Sequence, residues 1–383
     1  MTTDYGYIPY SSLLAERCTI MPSKPYVKLN AGDPDVEAPK DAVDAVLEAI
    51  KKGGAWTHYG GVEIPKQFRL AVVDYYKKWI GPEYKESQVI PVAGSSAALY
   101  IAMASVLKEG DEIILWEPSY SNHYVMLRDM GIKMHIPELP RENKYHMDLD
   151  KLSNHVTRKT KAILVCNPNN PTGTVYKKKE IEAVGDLAED NDLAIFSDEI
   201  YLHYVYDNNK FVAPSTIGNL RERTINIMSF SKTFSMTGWR LGYVIVPDKY
   251  LVSAQTVARV TAPRPATFVY PAGVACLRSD FKYVDERRKE YSARRDYFTK
   301  AIDDMGMPCH KFEGAFYAWF DARKYGLKSE EFIARLEKEE NVTLSSGAGF
   351  GTKQEGFIRV PMTAPIPVLK DVVERVRCFT AKL

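Results

Sequence analysis

The sequence predicts an α/β protein: a large domain with a mostly parallel sheet between helices, plus a smaller α+β domain. Three observations predict it. Short, continuous apolar runs alternate with helix-like segments from Val89 to Val246, and strands that are apolar throughout belong to sheets covered on both faces. The pattern changes after about Leu277, where a long charged helix precedes isolated strands. The chain has 383 residues, more than one ordinary compact domain holds. The expected division is an N-terminal segment over residues 1–40 packing on the small domain or active site, a large domain over 41–277 and a small domain over 278–383.

The elements follow in order. Val89 to Val92 is the first strand candidate, and Gly94 opens a helical pattern reaching about Leu107. Glu112 to Trp116 reads as a buried strand, Ser121 to Met130 as a helix and Lys133 to Ile136 as a strand. Ala162 to Cys166 is almost wholly apolar and runs into a Pro/Asn/Gly loop. Lys177 to Asp190 is helical, and Leu193 to Phe196, Ile225 to Met228 and Leu241 to Val246 complete the strand series. Beyond it, Asp280 to Asp304 is a helix carrying Arg287, Arg288, Arg294 and Arg295. Gly314 to Asp321 and Phe357 to Val360 read as strands, Ser329 to Glu339 and Pro367 to Lys382 as helices. No sheet-like run precedes Pro39.

Composition excludes several classes. Hydrophobic residues make up 45% and charged residues 26%, which is ordinary for a globular chain and excludes a disordered or fibrous one. Lys plus Arg is 51 against 49 Asp plus Glu, and a nucleic-acid binder shows a stronger basic excess or a basic block. The five cysteines are scattered and never form a CxxC pair, which argues against disulfides and a thiolate metal site. No apolar run approaches the roughly 20 residues that span a bilayer, and Met1 to Leu14 lacks the pattern of a signal peptide. A cytoplasmic protein with no bound metal, no nucleic acid and no membrane contact is expected.

In open parallel sheets, ligands bind beyond the carboxyl ends of the strands. The loops there are Gly94-Ser95-Ser96, Glu117-Pro118-Ser119-Tyr120, Asn167 to Gly173, Ser197-Asp198-Glu199 and Ser229-Phe230-Ser231-Lys232. Together they offer backbone amides, an aromatic ring, a carboxamide, a carboxylate and an amine. A lone loop lysine is usually only solvated. Lys232, however, has Ser229 just before it and Arg240 soon after, a set that could hold a phosphate beside an amine, with the arginine as a two-pronged clamp.

The run Ser229-Phe230-Ser231-Lys232-Thr233-Phe234-Ser235-Met236-Thr237-Gly238-Trp239-Arg240-Leu241-Gly242-Tyr243 resembles the lysine signature of the class I/II aminotransferases, which are fold-type I enzymes dependent on pyridoxal phosphate. The resemblance continues in family order through Gly32-Asp33-Pro34-Asp35 with Pro39, the NPNNPTG run Asn167 to Gly173, Asp198-Glu199-Ile200-Tyr201, Gly314-Ala315-Phe316-Tyr317, and Phe350-Gly351 followed by Gly356-Phe357-Ile358-Arg359. It implies that Lys232 forms the Schiff base with pyridoxal 5'-phosphate and later moves a proton. It implies that Asp198 pairs with the pyridine nitrogen and keeps it protonated. Tyr201 and Asn170 would bond the ring oxygen. Ser229, Arg240 and the amides near Ser95 and Ser96 would hold the phosphate at a helix N-terminus. Tyr120 would stack on the ring. Arg359 would take the substrate carboxylate, with the Gly32 amide and Asn170 nearby. Tyr59 would reach the phosphate of a second subunit, so the resemblance implies a homodimer.

The bland alternatives are that Tyr201 and Tyr120 are core or interface aromatics, Asp198 a helix cap, Asn170 a turn residue and Arg359 a surface arginine. For His123 and His203 the structural role is the favoured one. Arg264, held between Pro263 and Pro265, stands where family members often carry a small polar residue. It is a candidate for binding a substrate carboxylate or a phosphate, within one chain or across a dimer, against the plainer reading of a surface arginine. Val360-Pro361-Met362 is a second departure, fitting an edge strand or a strand end.

The expected function is ping-pong transfer of an amino group between an amino acid and a 2-oxo acid. A lyase, synthase or decarboxylase on the same scaffold remains the alternative, because all need the same lysine, aspartate and arginine. A serine hydrolase using Ser229 and Lys232 fails on its companion motifs, since Glu199 follows Ser197-Asp198 and Phe234 follows Lys232-Thr233. A regulator with an added DNA-binding domain is disfavoured because the resemblance begins by about residue 28. The amino donor stays open; Tyr5, Tyr7 and Tyr10 are among the residues expected to influence it.

Overall fold

The computed structural model describes residues 24–261 and 264–383. Tyr5, Tyr7 and Tyr10, with Cys18 and Pro263, lie outside the described residues.

A two-residue strand, β1 (Val27–Lys28), comes first and pairs in parallel with β10 (Val342–Thr343). The expectation of no sheet structure before Pro39 is therefore corrected. A segment this short has no periodicity to read; its partner 315 residues away, Val342 opposite Val27, defines it as a strand.

The main sheet has seven strands: β2 (Val89–Val92), β3 (Glu112–Leu115), β4 (Lys133–His135), β5 (Thr160–Cys166), β6 (Ala194–Asp198), β7 (Thr224–Ser229) and β8 (Gly242–Ile245). Their spatial order is β2-β8-β7-β6-β5-β3-β4. All pairings from β4 to β7 are parallel, and β8 runs antiparallel to both its neighbours. The sheet is thus mostly parallel, as its apolar strands imply. Its two faces are covered by separate cores. On one, Leu99, Met103 and Leu127 pack with Ile225 and Val244; on the other, Ile181 and Val184 pack with Ile163 and Ile195. The helix Ser95–Val106 buries Ala98, Leu99, Ile101, Ala102 and Met103. It is apolar nearly all round, and only Tyr100 on it is exposed.

A second, three-stranded antiparallel sheet is ordered β11-β12-β9, from β9 (Tyr317–Asp321), β11 (Ser345–Ser346) and β12 (Phe357–Pro361). Pro361 is the last residue of β12, so its missing N–H falls at a strand end. The helices Lys282–Asp303, Ser329–Glu340 and Ile366–Thr380 accompany this sheet. Buried arginines tie the parts together. Arg294 grips Asp35 through two nitrogens at 2.8 and 2.9 Å and also donates to Met362 O, while Arg295 pairs with Asp207. No described helix is long and apolar enough to cross a membrane.

Candidate active site

β2, β3, β5, β6 and β7 all point the same way, so their carboxyl ends release five loops along one edge of the sheet. β8 enters at that edge, which brings Arg240 back beside Gly94. Gly94 has φ +89°, and a Cβ there would lie 2.5 Å from an Arg240 guanidinium nitrogen. Only glycine gives both that backbone and that space. The helix beginning at Ser95 therefore starts directly under a guanidinium, and its first amides share the positive end of the helix.

Ser229 ends β7 and accepts from the Ser231 amide at 3.1 Å, which starts the short helix Phe230–Thr233 carrying Lys232. The Lys232 ammonium donates to the carbonyl of Gly32. Burial pushes its pKa down to about 8; Asp33 opposes the shift, and the Arg359 and Arg240 cations add to it. Gly32 itself is pressed against the Tyr317 hydroxyl, where a Cβ would overlap.

Asp198 ends β6 and is buried. Its Oδ2 lies 3.1 Å from His123 Nε2, and His123 Nδ1 lies 2.9 Å from Ser119 Oγ. Tyr120 stands edge-on to the His123 ring at 5.5 Å. The Tyr201 and Tyr317 hydroxyls are 2.8 Å apart.

Arg359 is 7% exposed and lies between two aromatic faces, 4.5 Å from the Tyr317 ring centroid and 4.7 Å from that of Phe350. It donates to Asn170 Oδ1, Asn30 O and Ser345 Oγ, each at 3.1 Å, while its buried Nε has no partner. Glu117 fixes the Phe350 loop: its carboxylate accepts from the amides of Thr352 and Lys353 at 2.8 and 3.0 Å.

Charge decides what this cleft can hold. The deeply buried arginines elsewhere, Arg294, Arg295 and Arg375, are ion-paired. Among the described residues, Lys232, Arg240 and Arg359 hydrogen-bond only neutral oxygens and form no ion pair. Arg359 is buried without a carboxylate partner among the described residues and Arg240 is exposed; with Lys232 they suit a phosphate and a carboxylate ligand.

The structure brings together Lys232, Asp198, Tyr201, Tyr120, Asn170, Ser229, Arg240, Ser95, Ser96, Gly32 and Arg359. It does not bring Tyr59 to them within one chain. Tyr59 is fully exposed and lies with His58 and Arg264 along a separate open groove. Sequence reasoning missed His123, Tyr317, Phe350 and Asp33 as cleft residues, although Asp33, Tyr317 and Phe350 sit inside motifs that pointed there. His203 is half-buried against Tyr75 and Phe281, and desolvation pushes its pKa down to about 3.

Comparison with known proteins gives one answer. The family described as Aminotransferase class I and II matches residues 24–376. An aspartate aminotransferase of Pyrococcus abyssi is 34% identical, covering 92% of this chain and 91% of its own length. An aromatic-amino-acid aminotransferase of Thermococcus litoralis is 33% identical, with 91% and 90% covered. The crystal structure of an aromatic aminotransferase from Pyrococcus horikoshii superposes with a TM-score of 0.88 at 31% identity, over 96% of this chain and 99% of that one.

Proposed function

The chain belongs to the class I and II aminotransferases, and from that premise we propose how it works: pyridoxal 5'-phosphate lies at the carboxyl edge of the main sheet, with the substrate between that edge and Arg359. The enzyme moves an amino group between an amino acid and a 2-oxo acid. The observation that carries the proposal is the set of three cations, Lys232, Arg240 and Arg359, gathered in one cleft with no ion-pair partner among the described residues.

Bound there, the cofactor supplies an aldehyde that takes up the amino group and a ring that accepts the electrons released at the substrate Cα. Arg240, the Ser229 hydroxyl and the amides at Ser95 and Ser96 would hold the phosphate. Asp198, oriented by His123, would pair with the ring nitrogen and keep a proton on it. Tyr120 would stack on the ring, and Tyr201 and Asn170 would hydrogen-bond its oxygen. Arg359 takes the substrate carboxylate with its forked nitrogens, and its stacking between Tyr317 and Phe350 keeps the fork planar and fixed. Lys232 Nζ, whose proton affinity is lowered by burial, is already half free amine near pH 8 and would carry the proton away from the substrate Cα.

The same proposal gives Tyr59 to the partner site of a homodimer, since its exposure leaves it free to cross a subunit boundary. It also keeps the large and small domains divided near residue 277 and the cytoplasm as compartment, supported by cysteines that are free among the described residues. The test is a screen of amino donors against 2-oxoglutarate and pyruvate, beginning with aspartate and aromatic amino acids. Wild-type protein should turn over at least one pair, and Lys232→Ala should lose turnover and the borohydride-trapped adduct. An adduct on another residue would overturn the assignment of Lys232.

A further inference from the structure

We propose that Tyr317 is a positioning residue that strengthens the hydrogen bond given by Tyr201 and seats Arg359, so that one side chain links the ring-oxygen end of the cleft to its carboxylate end. Three contacts support this. Its hydroxyl lies 2.8 Å from the Tyr201 hydroxyl, its ring lies 4.5 Å under the Arg359 guanidinium, and its hydroxyl touches Gly32. Tyr317 comes from β9 of the small sheet, Tyr201 from the loop after β6 and Gly32 from the N-terminal segment. The turn before β9 is pinned to the Asn167 to Gly173 loop, because the amides of Glu313 and Gly314 both donate to Gly173 O.

The direction of the tyrosine pair follows from counting protons. Each phenol has one hydrogen to give. The inference rests on the proposal that Tyr201 gives its hydrogen to the cofactor ring oxygen. Tyr317 must then donate to Tyr201, and a hydroxyl that accepts one hydrogen bond is a stronger donor in the next. Both residues are buried, at 1% and 2% exposure, so water does not replace the missing partner. The charged and titratable groups facing the pair are Arg359, Asp198, Cys166 and Tyr120.

The experiment uses holoenzyme and follows the pH midpoint of its visible absorbance. Negative charge on the ring oxygen, held by Tyr201, competes with a proton on the neighbouring linkage nitrogen. Weakening that hydrogen bond raises the midpoint. Tyr317→Phe should raise it by about half a pH unit, a modest loss of cooperative strength, and leave the KM for amino acid nearly unchanged because the ring under Arg359 stays. Tyr201→Phe should raise it further. Tyr317→Leu should shift the midpoint like Tyr317→Phe and also raise KM several-fold. If Tyr201→Phe moves the midpoint and Tyr317→Phe does not, the proposal for Tyr317 fails while the site stands. If neither moves it, the role of Tyr201 fails and Tyr317 with it.

Discussion

His123 Nε2 stands 3.1 Å from Asp198 Oδ2, and both side chains are at most 1% exposed. The other ring nitrogen meets Ser119 Oγ at 2.9 Å. With Nδ1 accepting from the serine hydroxyl, Nε2 carries the hydrogen and points it at the carboxylate. Asp198 is thereby held on one oxygen, leaving Oδ1 with only a long 3.5 Å contact from the Ile200 amide. The carboxylate cannot rotate away from the cleft without breaking a buried charge-assisted hydrogen bond.

His123→Ala should therefore lower the half-reaction rate roughly ten- to hundredfold, the worth of one hydrogen bond to a charged group. The KM should change little, because Arg359 is untouched. Ser119→Ala should do less, since it affects only the orientation of the imidazole. Single-turnover rates with a saturating amino donor measure both. A full-speed His123→Ala enzyme would reduce His123 to core filling.

Lys232 supplies a pH prediction. Its amine is half neutral near pH 8 instead of 10.5, and only the neutral amine attacks an aldehyde. Covalent attachment of pyridoxal phosphate to the apoprotein should speed up about tenfold per pH unit below that point and level off above it. Stopped-flow absorbance reads the rate. Arg359→Gln removes one of the cations that lower the proton affinity, so its plateau should begin at higher pH. A rate still climbing at pH 10 in the wild type would mean that the cleft does not tune this lysine.

Much of this site is legible in sequence, for a physical reason. Asp198, Ser229, Lys232 and the Asn167 to Gly173 loop each follow an apolar strand directly, so locating the strand locates the residue. His123 and Tyr317 are different. Their meaning comes from Asp198, 75 positions away, and from Tyr201, 116 positions away. A histidine on a short helix carries no local sign of such a partner, and the Gly314 to Tyr317 motif points to the cleft without pointing to Tyr201. The same holds for β1, whose two residues become a strand only through β10. The antiparallel sense of β8 also escapes periodicity, because a strand buried on both faces looks alike in either direction.

Glu199 gives a prediction about stability, on the opposite side of the strand end from the chemistry. It is fully buried next to Asp198. One carboxyl oxygen accepts from Ser197 Oγ and Asn226 Nδ2, both at 2.8 Å, and the other accepts from the Tyr76 hydroxyl at 3.2 Å. Burial pushes its pKa up to about 7 from 4.5, because the three hydrogen bonds do not fully offset desolvation and Asp198 adds repulsion. Between those two values the folded chain keeps a proton that the unfolded chain releases. The stabilising contribution is complete below pH 4.5 and is lost as pH rises through 7. By linkage the loss approaches roughly 3 kcal/mol. Glu199→Gln cannot ionise, so it should lack this slope. Relative to wild type, the variant should gain stability from pH 4.5 to about 7, level off above that and be the more stable protein there, provided Tyr76 turns its hydroxyl to suit the amide. Denaturant unfolding of both proteins across that range makes the comparison. Parallel curves would show that Glu199 is ionised throughout, and that its three donors outweigh its burial.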